Sequence, residues 1–285
     1  MDGVLAIDKP AGMTSHDVVD VIRKTLQTRR VGHGGTLDPD ATGVLVIGVG
    51  KATRFLSFAQ EAPKRYRARI RFGSVTSTQD ASGEVLETKP VDVTRDDVLS
   101  ELKRFIGPIE QVPPMVSAVS IGGERLHAKA RRGEEVERPA RKVTIYELTP
   151  IEFHQEDTVE LDVDVSCSAG TYIRTLAHDI GRGLGCGAHL RTLRRTGAGG
   201  FTLDDAIDLD AVSADVLRPL ASLVGDLPAT RVDAEGAALV GNGRPLPAPD
   251  DVGEGDLTAV LHGDDLLGVY RRAGSRIVAE RVVPR

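Results

Sequence analysis

Two carboxylates stand two residues apart in the stretch RRVGHGGTLDPDATGVLVIGVGKATRF, residues 29–55. Asp38 lies between Leu37 and Pro39, Asp40 follows, and His33 precedes both among glycines. An Asp-Pro pair can simply start a turn, its carboxylate bonding local main-chain N–H groups. On a rigid, glycine-flanked loop the same carboxylate can serve as a nucleophile or take a proton. A phosphate cradle is a third use for the glycines, but a P-loop needs G-x-x-x-x-G-K-[ST]. Gly43 and Gly48 have that spacing, yet Val49 and Gly50 stand where Lys and Ser/Thr must be, and Lys51 comes too late. The strand also falls between the glycines instead of before them.

Other chemistries find less support. The seven histidines are scattered, and neither His-x-x-x-His nor Cys-x-x-Cys occurs, so no metal site is expected. Cys167, in SCSAG, closes an apolar alternation and reads as a core residue. With Cys186 it makes only two cysteines, too few for a disulfide framework, and both are expected reduced.

The elements that must position these residues follow from periodicity. GVLAIDKP reads as a strand ending at Lys9-Pro10, and GVLVIGVG as the strand behind the Asp38 loop. TSHDVVDVIRKTL reads as a helix capped by Thr14 and Asp17, with Val18, Val19, Ile22 and Leu26 on one face. KATRFLSFA is a short helix. KRYRARIRF is a strand that places Arg65, Arg67, Arg69 and Arg71 on one face and Tyr66, Ala68, Ile70 and Phe72 on the other. That arginine face is either a solvated sheet surface or the seat of an anionic partner.

TRDDVLSELKRFIG is a helix with a Thr94/Asp97 capping box, Leu99, Leu102 and Ile106 on one face, and Gly107 as its stop. VELDVDVSC turns Val159, Leu161, Val163 and Val165 inward and Glu160, Asp162 and Asp164 outward. GTYIRTLAHDIGRGLG follows as a helix. Such alternation favours an α+β fold: a mixed, mostly antiparallel sheet with flanking helices. The Gly-, Pro- and Asp-rich stretch after residue 225 marks a boundary, so residues 1–228 and 229–285 are expected as a main domain and a small β-rich one.

With 285 residues and 40% hydrophobic content a full core is possible, and it must be aliphatic because Trp is absent and aromatics are 4%. No run of 18 apolar residues and no leader pattern occurs, so a soluble, cytoplasmic protein without membrane contact is expected. The net charge of −6 hides an uneven distribution. Residues 22–72 carry eleven Lys/Arg against three Asp/Glu, and residues 200–285 carry eight against fifteen. Because screening acts over about 10 Å, a local basic surface leaves a nucleic acid partner open.

Five ordered motifs in residues 4–201 resemble the TruB-type tRNA pseudouridine-55 synthases of bacteria. GHGGTLDPDATGVLVIGVGKATRF is similar to their signature loop, and LAIDKPAGMTSHDVV to their Lys-Pro-x-Gly motif, here Lys9, Pro10 and Gly12. KRYRARIRFGSVTSTQDASG resembles the motif that supplies an active-site tyrosine, Tyr66. CSAGTYIRTLAHDIG matches the arginine motif at Arg174, with Tyr172 before it, and GAHLRTLRRTGAGGF the leucine motif at Leu193.

The resemblance implies a pseudouridine synthase fold with a PUA-like C-terminal domain. It also implies an isomerase that needs no cofactor and no metal. Its substrate would be uridine 55 in the T-arm loop of tRNA, extruded from its stack. Asp38 would be the catalytic carboxylate, attacking ribose C1′ or uracil C6, or directing loss of the C2′ proton. Arg174 would pair with it, and Tyr66 would pack on the target base, its hydroxyl a carrier for the C5 proton. His33 would fill the space the uridine leaves. Asp80 would bond the flipped nucleotide, and Lys9, Tyr172 and Leu193 would contribute to RNA binding. Residues from about 119 to 142 would clamp the RNA, although Ser120 and His127 stand where Lys and Tyr are more usual. Asp40 replaces a usual apolar residue, and a monomer is expected. The rival from another class is an RNA-binding or tRNA-folding factor whose chemistry is incidental.

Overall fold

The structure, a computed structural model, describes residues 1–115, 120–121, 124–125, 132 and 136–284. They form two compact units, one of Met1–Ala62 with Gly197–Arg285, the other of Pro63–Thr196.

The first unit opens with β1 (Gly3–Lys9), α1 (Ser15–Thr25), β2 (Val31–His33) and β3 (Thr42–Val49). A 3-10 turn (Gly50–Phe55) leads into α2 (Leu56–Glu61). β3 pairs antiparallel with both β1 and β2. β1 and β3 are buried on both faces, which explains their nearly unbroken apolar runs. Leu5, Ile7, Leu45 and Ile47 meet Val18, Val19 and Ile22 of α1, while Val4, Ala6, Val44 and Val46 meet Phe55, Leu56 and Ala59. The capping box of α1 is present, with Asp17 N–H donating to Thr14 Oγ1 and Thr14 N–H to Asp17 Oδ2.

The second unit comprises β4 (Lys64–Phe72), the hairpin β5 (Ser74–Thr76) and β6 (Val85–Thr88), α3 (Arg95–Lys103) and β7 (Gly107–Gln111). A small pair, β8 (Ser120–Ile121) and β9 (Glu124–Arg125), precedes the long β10 (Arg141–Gln155) and β11 (Val159–Cys167). Then come α4 (Ile173–Gly183) and β12 (Ala188–Ala198), which carries the chain back to the first unit. The sheet order is β12-β4-β11-β10-β7. One face packs on α3 and α4 through Ala68, Ile70, Leu161, Val163, Leu102, Leu176 and Ile180. The expected Leu99-Leu102-Ile106 stripe of α3 is corrected. The helix ends at Lys103, before Ile106 comes round, and that side chain is 49% exposed, while Val98 takes the buried place.

Residues 197–285 add β13 (Phe201–Thr202), β14 (Ala229–Arg231), α5 (Ala234–Gly241), β15 (Leu246–Pro247), β16 (Leu257–His262), β17 (Asp265–Ala273) and β18 (Arg276–Val282). The last five strands form a separate sheet in the order β14-β16-β17-β18-β15, with β14 parallel to β16 and the other pairings antiparallel. The α+β class, with its mostly antiparallel sheet and flanking helices, is what the alternation implied. Among the described residues no helix is long and apolar enough to cross a membrane.

Candidate active site

Asp38 opens a turn that is fastened on both sides. Ala41 N–H donates to the Asp38 carbonyl at 3.1 Å, so Pro39 and Asp40 are the central turn residues. Pro39 suits the first of these positions, since its ring presets φ. Asp40, exposed, takes the second, which gives it a place in the turn and no contact with the core. Before Asp38, Leu37 is tied to Ser15 at the start of α1. Its N–H donates to Ser15 Oγ at 2.9 Å, and that hydroxyl lies 3.2 Å from its carbonyl. After Asp38, the Pro39 carbonyl accepts from Gly12 N–H at 2.9 Å and from Lys9 Nζ at 2.9 Å.

Lys9 is fully buried, and its ammonium also donates to the carbonyls of Pro10 and Met13 at 2.8 and 2.7 Å. Three main-chain carbonyls are thus within hydrogen-bond reach of one ammonium. The Lys-Pro-x-Gly segment is therefore the fastening of the Asp38 loop. Asp38 itself is half-buried. Upstream, Gly35 has φ +124°, a conformation open to glycine but not to most side chains.

His33 ends β2 opposite Ile47. The His16 ring stands edge-on to it, with centroids 5.7 Å apart and planes at 78°. Gln60 Nε2 donates to the His33 carbonyl at 3.3 Å. At Gly34 a Cβ would meet that of Ala59 at 3.0 Å, so glycine lets α2 press on the loop.

In the second unit Arg174 and Asp80 come together. Arg174, 4% exposed on the first turn of α4, places Nη1 3.5 Å from Asp80 Oδ2 and 3.2 Å from the Thr78 carbonyl, to which it donates. Asp80 Oδ1 accepts from Thr78 Oγ1 at 2.6 Å, Ser82 N–H at 3.0 Å and Ser82 Oγ at 2.6 Å. That leaves Oδ2 as the oxygen turned to Arg174. Leu190 of β12 brackets Asp80, donating to the Gln79 carbonyl at 3.0 Å and accepting from Ala81 N–H at 2.9 Å. Tyr66 is half-buried opposite Val165, and like Leu193 it packs on the apolar cluster beneath the sheet.

Several supports carry no sequence signal. Gln79 adopts φ +64°, rare for a side chain with Cβ, and its amide oxygen accepts from the buried Thr175 hydroxyl at 2.9 Å. Tyr172 caps α4 without a side-chain bond. Instead Gln111 of β7 reaches it, accepting from Tyr172 N–H at 3.0 Å and donating to its carbonyl at 3.2 Å. Side-chain amides matched to main-chain groups leave no periodic trace.

The anionic partner of the β4 arginine face is internal. Arg67 forks onto Asp164 at 2.9 and 2.9 Å, and Arg69 onto Asp162 at 2.7 and 2.6 Å. Arg71 meets Glu160 at 2.8 Å. The register puts each pair directly opposite across β4 and β11. Only Arg65, opposite Ser166, lies off this ladder of acids. Of the two readings of that face, an anionic partner is the one the pairing bears out for these three arginines, and the partner is β11 of the same sheet.

Among the described residues one group, Glu152, His154 and Asp162, has ligand atoms close enough for a metal. Arg69 Nη2 is 3.3 Å from His154 Nε2 and bonds Asp162, and that guanidinium disfavours a second cation. Burial raises the Cys167 thiol to about 11, so it stays protonated near neutrality and is no nucleophile. The expected RNA clamp at 119–142 lies partly outside the described residues, His127 with it.

Residues 23–173 match the N-terminal domain of the TruB family pseudouridylate synthases, and residues 174–222 the tRNA pseudouridylate synthase B C-terminal domain. The tRNA pseudouridine synthase B of Burkholderia lata is 44% identical over 99% of this chain and 90% of its own. That of Thermobifida fusca is 49% identical over 85% of each. Among solved structures, a chain of an H/ACA RNP bound to a substrate RNA containing 2′-deoxyuridine superposes with TM-score 0.76 at 28% identity, over 99% of this chain and 85% of that one. A chain of a Cbf5-Nop10-Gar1 complex gives TM-score 0.77 at 30% identity with the same coverage.

Proposed function

The chain belongs to the TruB family of pseudouridylate synthases, and from that premise we propose that it isomerises uridine 55 in the T-arm loop of tRNA. The reaction breaks the C1′–N1 bond of uridine and forms C1′–C5. C5 loses a proton and N1 gains one, so no atom is added or lost. Nothing in that balance requires an oxidant or a group donor.

Asp38 is the proposed catalytic carboxylate, with Tyr66 and Arg174 as its partners in the chemistry. The observation that carries this reading is the fastening of the Asp38 turn through Leu37 and Pro39. A carboxylate that must meet one atom of a mobile RNA loop works best on a backbone already held in place. His33 is proposed to occupy the space left by the extruded uridine. Asp80 offers Oδ2 to the flipped nucleotide. Tyr172 and Leu193 bound the RNA site, and Lys9 serves it by holding the loop. Residues 229–285 are proposed as a PUA-like domain on a catalytic domain of residues 1–228, in a monomeric cytoplasmic enzyme. Relatives named for tRNA are closer in sequence than the ribonucleoprotein chains, which favours free tRNA over a guide-RNA particle.

The test is to map pseudouridine in tRNA with wild type and with Asp38→Asn. The variant should bind tRNA as wild type does and lose turnover by about a thousandfold or more. Retained turnover in a clean preparation sinks the assignment of Asp38. A wild type that leaves uridine 55 unmodified sinks the choice of substrate.

A further inference from the structure

The turn that holds Asp80 meets the first turn of α4 through neighbouring residues on both sides. Arg174 Nη1 donates to the Thr78 carbonyl at 3.2 Å and stands 3.5 Å from Asp80 Oδ2. Between these contacts the Thr175 hydroxyl donates to Gln79 Oε1 at 2.9 Å, the shortest of the set. Thr175 is buried and Gln79 half-buried. The main chain of Gln79 is held as well. Its N–H donates to the Thr76 carbonyl at 3.2 Å, and its carbonyl accepts from Leu190 N–H at 3.0 Å. Thr76, itself buried, closes the turn by donating from Oγ1 to the Asp80 carbonyl at 2.6 Å.

Gln79 does this at φ +64°. Glycine reaches that region at no steric cost, and asparagine enters it more readily than other residues with a Cβ. A glutamine there works against the preference of its own backbone, and such strain persists where the surroundings over-determine it. What glutamine adds over either alternative is reach. Glycine has no amide, and the amide of asparagine is one methylene shorter. The guanidinium of Arg174 sits at the end of a long side chain, so its distance from Asp80 depends on how the turn lies against the helix. Asp80 Oδ1 is taken by bonds from Thr78 and Ser82 within the turn, so carboxylate and turn move as one piece.

We propose that Gln79 is a positioning residue for the isomerisation: its amide latches the Asp80 turn to Thr175 and thereby sets where the Arg174 guanidinium stands. This rests on the role proposed for Arg174, through which Gln79 and Thr175 act. The left-handed backbone at Gln79 is what turns its amide toward α4, so the strain at that residue has a use in the site.

The experiment compares full-length wild type with Gln79→Gly, Thr175→Val, Thr175→Ser and the Gln79→Gly/Thr175→Val double variant, in steady-state pseudouridine formation on tRNA and in urea unfolding. Gln79→Gly removes the amide and the backbone strain together, so its urea midpoint should stay near that of wild type. Its kcat should fall about tenfold with KM changed less than about twofold, because a displaced guanidinium costs rate without removing an RNA contact. Thr175→Val should reproduce that loss, and Thr175→Ser, which keeps the hydroxyl, should retain the wild-type kcat. The double variant should be no slower than either single one, as expected for two ends of one bond. A purely structural role would instead lower midpoint and kcat together in Gln79→Gly, and that result overturns the inference. The Arg174 Nε–H resonance, identified by its absence from the spectrum of Arg174→Lys, reads the latch without substrate. It should shift in Gln79→Gly and Thr175→Val and stay in place in Thr175→Ser. An unchanged kcat and an unmoved resonance in Gln79→Gly and Thr175→Val, with uridine 55 still modified, overturn the inference and leave the proposed function standing. Losses that multiply in the double variant overturn it too. If Gln79→Gly does not fold, the two Thr175 variants decide, since both keep Gln79. A wild type that leaves uridine 55 unmodified counts against the proposed substrate, and the Arg174 resonance then decides the latch by itself.

Discussion

The ammonium of Lys9 has three protons and three carbonyl partners, and one of those carbonyls belongs to the residue after Asp38. Lys9→Met keeps most of the buried volume but takes the charged donor from the Pro10 and Met13 carbonyls and leaves that of Pro39 with Gly12 N–H alone. A lost charge-assisted bond costs more than a neutral one. The substitution should lower unfolding stability by about 3 kcal/mol in a urea titration. Turnover of the still-folded protein should fall by about a hundredfold, because a shift of one ångström at a reacting group is enough for that. A folded variant with full turnover would detach the fastening from the chemistry. Lys9 was visible in the sequence only as a member of a motif. Its partners are main-chain carbonyls, which every residue has, so no choice of residue types marks them. Asp38 stood out because an Asp-Pro pair on a glycine-flanked loop marks a turn, but the role proposed for it, like that for His33, came from the resemblance.

At the scale of elements, alternation revealed the strands and hid their neighbours. KRYRARIRF and VELDVDVSC each read as half-buried strands, one with basic and one with acidic outward residues, and only the sheet order shows that the two sets face each other. Their pairing makes a cross-strand ladder out of what read as either a solvated face or the seat of an anionic partner. The Asp162 carboxyl is held below its usual 3.8 chiefly by the bonds from Arg69, then by His154, against the opposing effect of burial. A carboxylate with a depressed folded-state pKa stabilises the fold above its unfolded value and loses that contribution as pH falls through the folded one. Asp162→Asn should therefore cost about 1 kcal/mol at neutral pH, a modest figure because Arg69 is 37% exposed and screened by solvent. The difference from wild type should shrink as pH drops below 3.8. Urea unfolding at neutral and acidic pH reads both quantities, and a cost that does not change with pH would remove the carboxylate as its source. Arg67→Gln, on the same face, should leave tRNA affinity unchanged, since its charge is already matched by Asp164.

The largest scale concerns how the C-terminal sheet is stabilised, and there the boundary near residue 228 takes on a physical meaning. β16 and β17 divide their side chains between two clusters. Val260 and Tyr270 join Val240, Leu246 and Ile277 in a small core of the sheet's own. Ala259, Leu261, Leu266 and Val269 face the other way and complete a cluster with Val4, Ala6, Val44, Val46, Leu223 and Val224. A five-stranded sheet of some fifty residues buries too little by itself to be comfortably stable, and here Ala259, Leu261, Leu266 and Val269 are spent on a cluster outside the sheet. Composition showed the linker between the two segments, but not this sharing, because period-two alternation says that a face is buried and not against what. Truncation after residue 228 should then uncover apolar side chains of that shared cluster, Leu223 and Val224 among them. The truncated chain should bind a hydrophobic dye and unfold at a midpoint lower by several degrees, as loss of a few kcal/mol implies for a unit of this size. Turnover should fall with it. A truncated chain with an unchanged midpoint and no dye binding would show that the shared cluster contributes little.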